Sequence, residues 1–180
     1  MGAVLNALGY QGVWFIAVAA AARDQPWWGV IAASVFIAVQ WAFSATRRDD
    51  LKLLVVAVAL GALLDGTFAL NGWLHYAAGQ PGMVAPTWIL AIWAAFALTL
   101  NHSLRFLQGR PWWSMLLGAI GGPLAYLGAA RGFGAVTFIA PGYAGLAALA
   151  VAWAVALPLL MHLAWRWRAE TLATSVQVSP

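Results

Sequence analysis

Asp65 is the only acidic side chain placed well inside an apolar segment of this chain, the run of residues 51–74. A carboxylate in the middle of a membrane is costly unless it is paired, protonated or hydrated, so an acidic residue at this depth indicates a functional site. At about 1.5 Å per helical residue, Asp65 lies roughly 20 Å from the start of its segment. Tyr126, on another segment, reaches a similar depth. We therefore predict Asp65 and Tyr126 as a catalytic pair, with Asp65 as a proton donor or acceptor.

Small residues share the helix face of Asp65. Gly61 and Gly72 fall near the same stripe at helical spacing, so another helix can approach the carboxyl group closely. Trp14, on the first apolar segment, lies slightly lower, and together with Tyr126 it would form the aromatic wall of a pocket. Asp65 is therefore predicted to face protein and not lipid.

A second group of polar side chains lies nearer one membrane boundary. Amides, imidazoles and one guanidinium at that level could bind a phosphate or carboxylate head group, or carry protons. Alternatively, the amides cross-link helices and the guanidinium reaches out to phospholipid. Including the residues of the first segment, the predicted ligand-binding residues are Asn6, Gln11, Trp14, Gln40, Asn101, His102, Arg105 and His162.

Several chemistries lack their motifs in this sequence. The three histidines show no H-x-x-H or H-x-x-x-H spacing, so neither a metal site nor another cofactor is predicted. The chain has no P-loop, no nucleophile elbow and no second intramembrane carboxylate, which removes most support for a hydrolase. It also has no cysteine, which excludes disulfides and thiolate nucleophiles.

The composition is that of an integral membrane protein. Of 180 residues, 64% are hydrophobic and 8% are charged, and the mean hydropathy is +0.83. Soluble domains carry about 25% charged residues, so a water-soluble fold is excluded. Because a spanning helix needs about 20 residues, the chain holds roughly six. Nucleic acid is not predicted as a partner, since the basic excess is explained by topology and by contact with membrane lipids.

The elements that must position these residues are therefore six transmembrane helices in an all-α bundle. We predict one membrane domain over residues 1–165 and a polar, frayed cytoplasmic tail over 166–180. Residues 77–85 are predicted as a surface turn, and residues 131–141 as a loop at the interface. The predicted helices cover residues 2–22, 26–46, 47–73, 86–107, a fifth segment from 111 past Tyr126, and 142–165.

Basic residues set the predicted orientation. With both termini inside, seven basic residues lie on the inner side, and only Arg23 and Arg131 lie on the outer side. We therefore predict a multi-pass membrane protein with cytoplasmic N- and C-termini. The seven inner residues are Arg47, Arg48, Lys52, Arg105, Arg110, Arg166 and Arg168.

A weak repeat joins the two halves of the sequence. Pro26-Trp27-Trp28 and Pro111-Trp112-Trp113 open the second and fifth segments, each after a short charged turn. Two such three-helix halves would be inverted relative to each other, as in transporters with a site at the midplane. The alternative, which we favour, is that proline followed by tryptophan simply suits the start of a helix at an interface.

A set of separated residues runs through the chain: Asn6, Tyr10-Gln11 with Trp14, Gly61-x-x-x-Asp65, Pro86-x-Trp88 with Trp93 and Phe96, and Gly118-x-x-Gly121-Gly122-Pro123 with Tyr126. In this pattern nearly the whole chain resembles an uncharacterised family of small bacterial inner-membrane proteins, a domain of unknown function. The resemblance implies a polytopic membrane protein, often encoded near enzymes that modify fatty-acyl chains, such as cyclopropane fatty-acid synthases. It supplies no established catalytic residues, but it favours a role in membrane lipids.

Three functions fit these observations. In the first, the protein binds or helps modify a lipid or fatty-acyl chain within the bilayer, which predicts a cavity open sideways to lipid. In the second, it is a small proton-coupled permease with Asp65 on a path for water. In the third, it is an accessory or structural subunit that docks a membrane enzyme. Whether the protein is an enzyme, and whether it forms a homo-oligomer, the sequence leaves open.

Overall fold

The computed structural model describes residues 2–80, 85–139 and 143–177. Helices dominate these residues, which confirms the predicted all-α fold. A 3-10 turn, Arg105–Leu107, and a π-helical turn, Ala129–Phe133, flank the fifth helix. The elements are α1 (Ala3–Ala21), α2 (Trp27–Ala42), α3 (Arg47–Leu70), β1 (Leu74–Tyr76), α4 (Thr87–Leu100), α5 (Pro111–Gly128), β2 (Val136–Phe138) and α6 (Ala144–Gln177).

Four stretches are long and apolar enough to cross a membrane, and they indicate a membrane protein. They are α1, α3, α5 together with the π-helical turn, and α6. The helices α2 and α4 are apolar but contain only 16 and 14 residues. At about 1.5 Å per residue they reach about 24 and 21 Å, short of the hydrocarbon thickness of about 30 Å. Four of the six predicted spans are therefore long enough to cross a membrane. That α2 and α4 also cross it stays a prediction.

Helix α4 lies at the centre of the bundle. Ten of its 14 residues are buried, and it packs against α1, α2 and α3 and also contacts α6. A helix that is apolar on all sides is suited to such a position. Because protein surrounds α4, its length does not have to match the thickness of the lipid.

Helices α5 and α6 approach each other closely along a glycine face. A Cβ atom at Gly118 would meet the backbone carbonyl of Trp153, and one at Gly122 would meet its indole ring. The predicted close-contact face of α5 therefore packs on α6, as small residues at helix interfaces allow. Helix α5 continues through Pro123.

The loops between the helices differ from the prediction. Residues 131–141 were predicted as an interfacial loop, but the described part of this range completes the π-helical turn and forms β2. Strand β2 pairs antiparallel with β1, with Leu74 opposite Phe138 and Tyr76 opposite Val136. Backbone pairing explains why this apolar stretch is ordered. Of the predicted turn at 77–85, residues 81–84 lie outside the described residues.

Two predicted helix ends were also wrong. The fourth segment was predicted to reach residue 107, but α4 ends at Leu100, where polar side chains bond to other elements. Helix α6 does not fray after residue 165 but continues to Gln177. An ion pair between Arg166 and Glu170 and a hydrogen bond from Thr171 Oγ1 to Asp49 Oδ2 (3.0 Å) support this extension. The division into a membrane domain and a cytoplasmic tail stays a prediction.

The bundle has two distinct ends. At one end, here called the basic end, the start of α1, α3 and α5 meets the end of α2, α4 and α6, and the seven predicted inner basic residues lie there. At the other, the sheet end, lie β1, β2, Arg23 and Arg131. The assignment of the basic end to the cytoplasm stays a prediction.

Candidate functional site

Asp65 is fully buried in α3 and accepts three hydrogen bonds from three other elements. Tyr76 of β1 donates its hydroxyl to Oδ1 (2.8 Å), and Trp93 of α4 donates its indole N–H to Oδ2 (2.7 Å). Tyr126 of α5 donates its hydroxyl to Oδ1. The structure thus brings Asp65 and Tyr126 together, while their catalytic role stays a prediction. Sequence reasoning missed the other two donors.

A glycine one turn before Asp65 makes room for Trp93. A Cβ atom at Gly61 would collide with the indole ring of Trp93, so only glycine lets this ring lie against α3. Trp93 in turn stacks on Trp153 of α6, with ring centroids 4.6 Å apart and an interplanar angle of 11°. Trp153 lies against Gly122 of α5. The two stacked indoles are thus held between glycine faces of α3 and α5.

Tyr76 reaches Asp65 because the chain folds back after α3. Strand β1 returns from the sheet end, and its pairing with β2 fixes the position of Tyr76. Burial raises the pKa of the Tyr76 phenol, and the nearby charge of Asp65 raises it further. The phenol therefore keeps its proton and acts as a donor. In sequence, Tyr76 lies at the edge of a predicted surface turn, and no signal there indicates a contact with Asp65.

A cavity of about 540 Å³ lies beside this cluster, between α1, α4, α5 and α6. Gln11, Leu117 and Leu124 belong to its lining and are exposed, so the cavity opens to the surface between α1 and α5. Tyr126 and Trp93 line it, whereas Asp65 lies behind them. Its other aromatic residues are Tyr10, Trp14, Trp88, Phe96 and Trp153.

The cavity is elongated along α1 and α5. On α1 its lining extends from Ala7 to Val18, and on α5 and the first residue of the π-helical turn from Leu117 to Ala129. At about 1.5 Å per residue, these ranges correspond to about 17 Å, close to half of a hydrocarbon core of about 30 Å. The predicted residues Gln11, Trp14 and Tyr126 therefore share one elongated, mostly apolar site.

A second carboxylate, Asp50 near the start of α3, is also fully buried. It accepts hydrogen bonds from the Ser44 hydroxyl, from Thr46 Oγ1 (3.2 Å) and from Asn101 Nδ2 (2.9 Å), and His102 Nε2 lies 3.2 Å from Oδ2. Asp50 thus brings the predicted residues Asn101 and His102 together. In the sequence, Asp50 belongs to a cluster of charged residues and was not predicted as part of a site. This network joins the loop after α2, the start of α3 and the end of α4.

Comparison with known proteins places the chain in a family. The family model described as "Protein of unknown function (DUF2878)" matches residues 3–159. The chain belongs to this family. Membership of an uncharacterised family was predicted and is confirmed, whereas bacterial origin and gene neighbourhood stay predictions. Comparison with curated proteins and with solved structures gave no match.

The DUF2878 match includes Asp50, Asp65 and all residues that line the cavity. It ends before His162, which lies exposed on α6 beside Trp165. The predicted site at the basic end therefore combines residues inside and outside the family match.

The predicted polar layer does not form one cluster. Asn6 cross-links α1 to α4, since its Nδ2 donates to the Leu98 carbonyl (3.0 Å) and its Oδ1 accepts from the Ser103 backbone N–H (3.2 Å). Gln40 is fully buried, and neither of its amide atoms has a partner among the described residues. Arg105 is exposed. Depth along the helices was counted correctly for these residues, but their directions around each helix differ.

Proposed function

We propose that this protein binds a lipid or fatty-acyl chain within the bilayer, in the cavity between α1 and α5. One observation carries the proposal: an apolar cavity of about 540 Å³ opens between two helices that are long enough to cross a membrane. At that depth only lipid reaches the opening. The volume falls within the range of about 300–1,000 Å³ that is usual for small-molecule sites.

The shape of the cavity favours an acyl chain. Its length of about 17 Å is close to the depth of one leaflet, about 15 Å, so one chain can lie along it. Trp14, Phe96 and Trp153 give it broad apolar walls, and Gly121 keeps the α5 side open. Such walls offer close van der Waals contact to a flexible hydrocarbon without requiring polar partners.

Tyr126 is the residue through which chemistry would take place. Its ring lines the cavity while its hydroxyl donates to Asp65, so it is the nearest link between a bound chain and the buried carboxylate. We propose that Tyr126 contacts the ligand and that Asp65 is a positioning residue, which holds the Tyr126 hydroxyl through their hydrogen bond. The protein would then bind the chain for its own reaction or present it to a membrane enzyme.

A proton-coupled permease is supported less well. That function requires a path for water to Asp65, but this residue is fully buried and three donors surround its carboxylate. We also propose that the protein resides in a bacterial inner membrane, which the family resemblance of the sequence implies. Both termini would lie in the cytoplasm, because seven of nine basic residues lie at the basic end.

The test compares lipid retention in two glycine variants. A side chain at Gly121 meets nothing within 4 Å and enters the cavity, whereas Gly12 is equally open but lies outside the lining. Native mass spectrometry with lipidomics is performed on wild type, Gly121→Leu and Gly12→Leu purified in a mild detergent. We expect a defined lipid or acyl species with wild type and Gly12→Leu, and at least a tenfold loss in Gly121→Leu. Equal retention of bulk lipid by all three would refute the proposal.

A further inference from the structure

A second depression lies on the face of α5 next to the cavity, toward the basic end. It measures about 340 Å³. Trp113, Leu116 and Ile120 form one stripe of α5 at helical spacing, and Phe106 and Leu107 of the 3-10 turn form the facing wall. This depression is here called the Arg110 groove, and its lining is completed by Arg110 and Leu117.

Arg110 is the only charged residue of this lining, and no acidic side chain of the described residues forms an ion pair with it. Its guanidinium is exposed and makes no hydrogen bond or ion pair in the part of the chain that the structure describes. Asp49 bonds Lys52 and Thr171, and Glu170 pairs with Arg166. Asp50 and Asp65 are enclosed by their own donors, and Asp24 lies at the sheet end. The described residues therefore leave Arg110 available to an anion from outside the chain.

The lining of the groove changes from charged to apolar along α5, as a membrane leaflet changes from its head groups to its acyl chains. Trp112 and Trp113 follow Arg110 and are exposed, and tryptophans of this kind mark the level of the lipid head groups. Ile120 lies ten residues beyond Arg110, about 15 Å deeper, which is half of a hydrocarbon core of about 30 Å. A cation thus lies at head-group level, with an apolar channel of one leaflet's depth below it.

We propose that the Arg110 groove binds one anionic phospholipid, with its phosphate on Arg110 and one acyl chain along Leu116 and Ile120. Arginine forms paired hydrogen bonds with phosphate oxygens, and a net negative head group lacks the amine that would repel it. The site is separate from the cavity, which it adjoins at Leu117, and it does not depend on the function proposed above.

The experiment measures head-group selectivity by native mass spectrometry. Wild type is incubated with equal amounts of phosphatidylglycerol and phosphatidylethanolamine that carry the same acyl chains. We expect one adduct with a preference for phosphatidylglycerol, and about a fivefold loss of that preference in Arg110→Gln, as expected for one basic residue near the membrane surface. Arg48→Gln is the matched control, since Arg48 is exposed at the same end but lies outside the groove.

A second variant separates the groove from simple surface charge. Ile120→Trp fills the deep end of the groove and leaves every charge in place, and Ile120 is exposed, so folding should be retained. We expect the phosphatidylglycerol adduct to disappear. The proposal is overturned if Arg48→Gln lowers the preference as much as Arg110→Gln, if Ile120→Trp keeps the adduct, or if a dimer covers this face in place of the lipid.

Discussion

Helix α3 carries three buried carboxylates, Asp49, Asp50 and Asp65, and the last two of these lie in different surroundings. Asp65, in the interior of the bundle, accepts from one indole and two phenols, and two of these three rings form a wall of the cavity. Asp50, at the basic end, accepts from hydroxyls, an amide and an imidazole that belong to loops and helix ends. Asp65 therefore positions residues that line the cavity. Asp50, fifteen residues earlier on the same helix, instead links helix ends and loops through a hydrogen-bond network.

The difference shows that burial alone does not identify a functional carboxylate. Both residues are sealed from solvent, and both have their oxygen atoms occupied by donors. What distinguishes Asp65 is that its donors continue into an open, apolar space, whereas the donors of Asp50 are polar residues near the membrane boundary. The predictions below test this contrast, starting with the largest expected effect.

Removal of the two carboxylates should have unequal costs. Asp65→Ala leaves the hydroxyls of Tyr76 and Tyr126 and the indole N–H of Trp93 without an acceptor in a site that water does not reach. At about 0.6 to 1.7 kcal/mol for each hydrogen bond between helices, the free energy of unfolding should fall by about 2 to 5 kcal/mol. Asp50→Ala should cost about half as much, because its partners Thr46 and His102 are only partly buried and can bond to water instead. Equilibrium unfolding in bicelles measures both, and equal losses would contradict the contrast.

The same substitution at two adjacent glycines of α5 should lower the free energy of unfolding at one position and leave it nearly unchanged at the other. In Gly122→Leu the new side chain meets the Trp153 ring, and overpacking of this kind costs about 1 to 3 kcal/mol. In Gly121→Leu it enters the cavity, so the free energy of unfolding should change by less than about 0.5 kcal/mol. The same unfolding experiment compares the two. A cavity that is closed by packing would be revealed by destabilisation in both variants.

The two tyrosines that bond Asp65 Oδ1 separate stability from ligand binding. Tyr126→Phe and Tyr76→Phe each remove one hydrogen bond, so each should lower the free energy of unfolding by a similar amount, about 0.6 kcal/mol. Only Tyr126 lines the cavity, so only Tyr126→Phe should change the lipid that co-purifies. Lipid composition is measured by mass spectrometry. An equal change in both variants would show that Asp65 acts on the fold and not on the ligand.

Much of the fold follows from the sequence, but the central position of α4 does not. Hydropathy identifies apolar segments, yet lipid is as apolar as a protein core, so hydropathy does not distinguish a helix that faces lipid from one that faces other helices. The predicted fourth segment looked like any other span. The strands β1 and β2 were missed for a related reason, since three paired residues in each leave no periodic pattern.

The sequence predicted those parts of the site in which a contact depends only on the depth of two residues along their helices. Asp65 and Tyr126 lie on helices that rise from the same end, so counting residues places them at one level. Asp50 was missed because a run of charged residues at a helix start usually faces water, and nothing in the sequence shows that Asn101 and His102 fold over it. His162 has the right depth but points away from the bundle. Depth can be counted from sequence, whereas direction requires the packed structure.

The smallest expected effect concerns His102 in the hydrogen-bond network around Asp50. His102→Ala removes one of four partners of Asp50, and the remaining hydroxyls and amide still satisfy its oxygen atoms. The free energy of unfolding should fall by about 0.6 kcal/mol, with no change in the lipid that co-purifies. Unfolding and lipid composition are measured on the same preparation. The network around Asp50 and the cavity are separate. A loss of lipid in His102→Ala would therefore show that Asp50 and Asp65 belong to one functional unit.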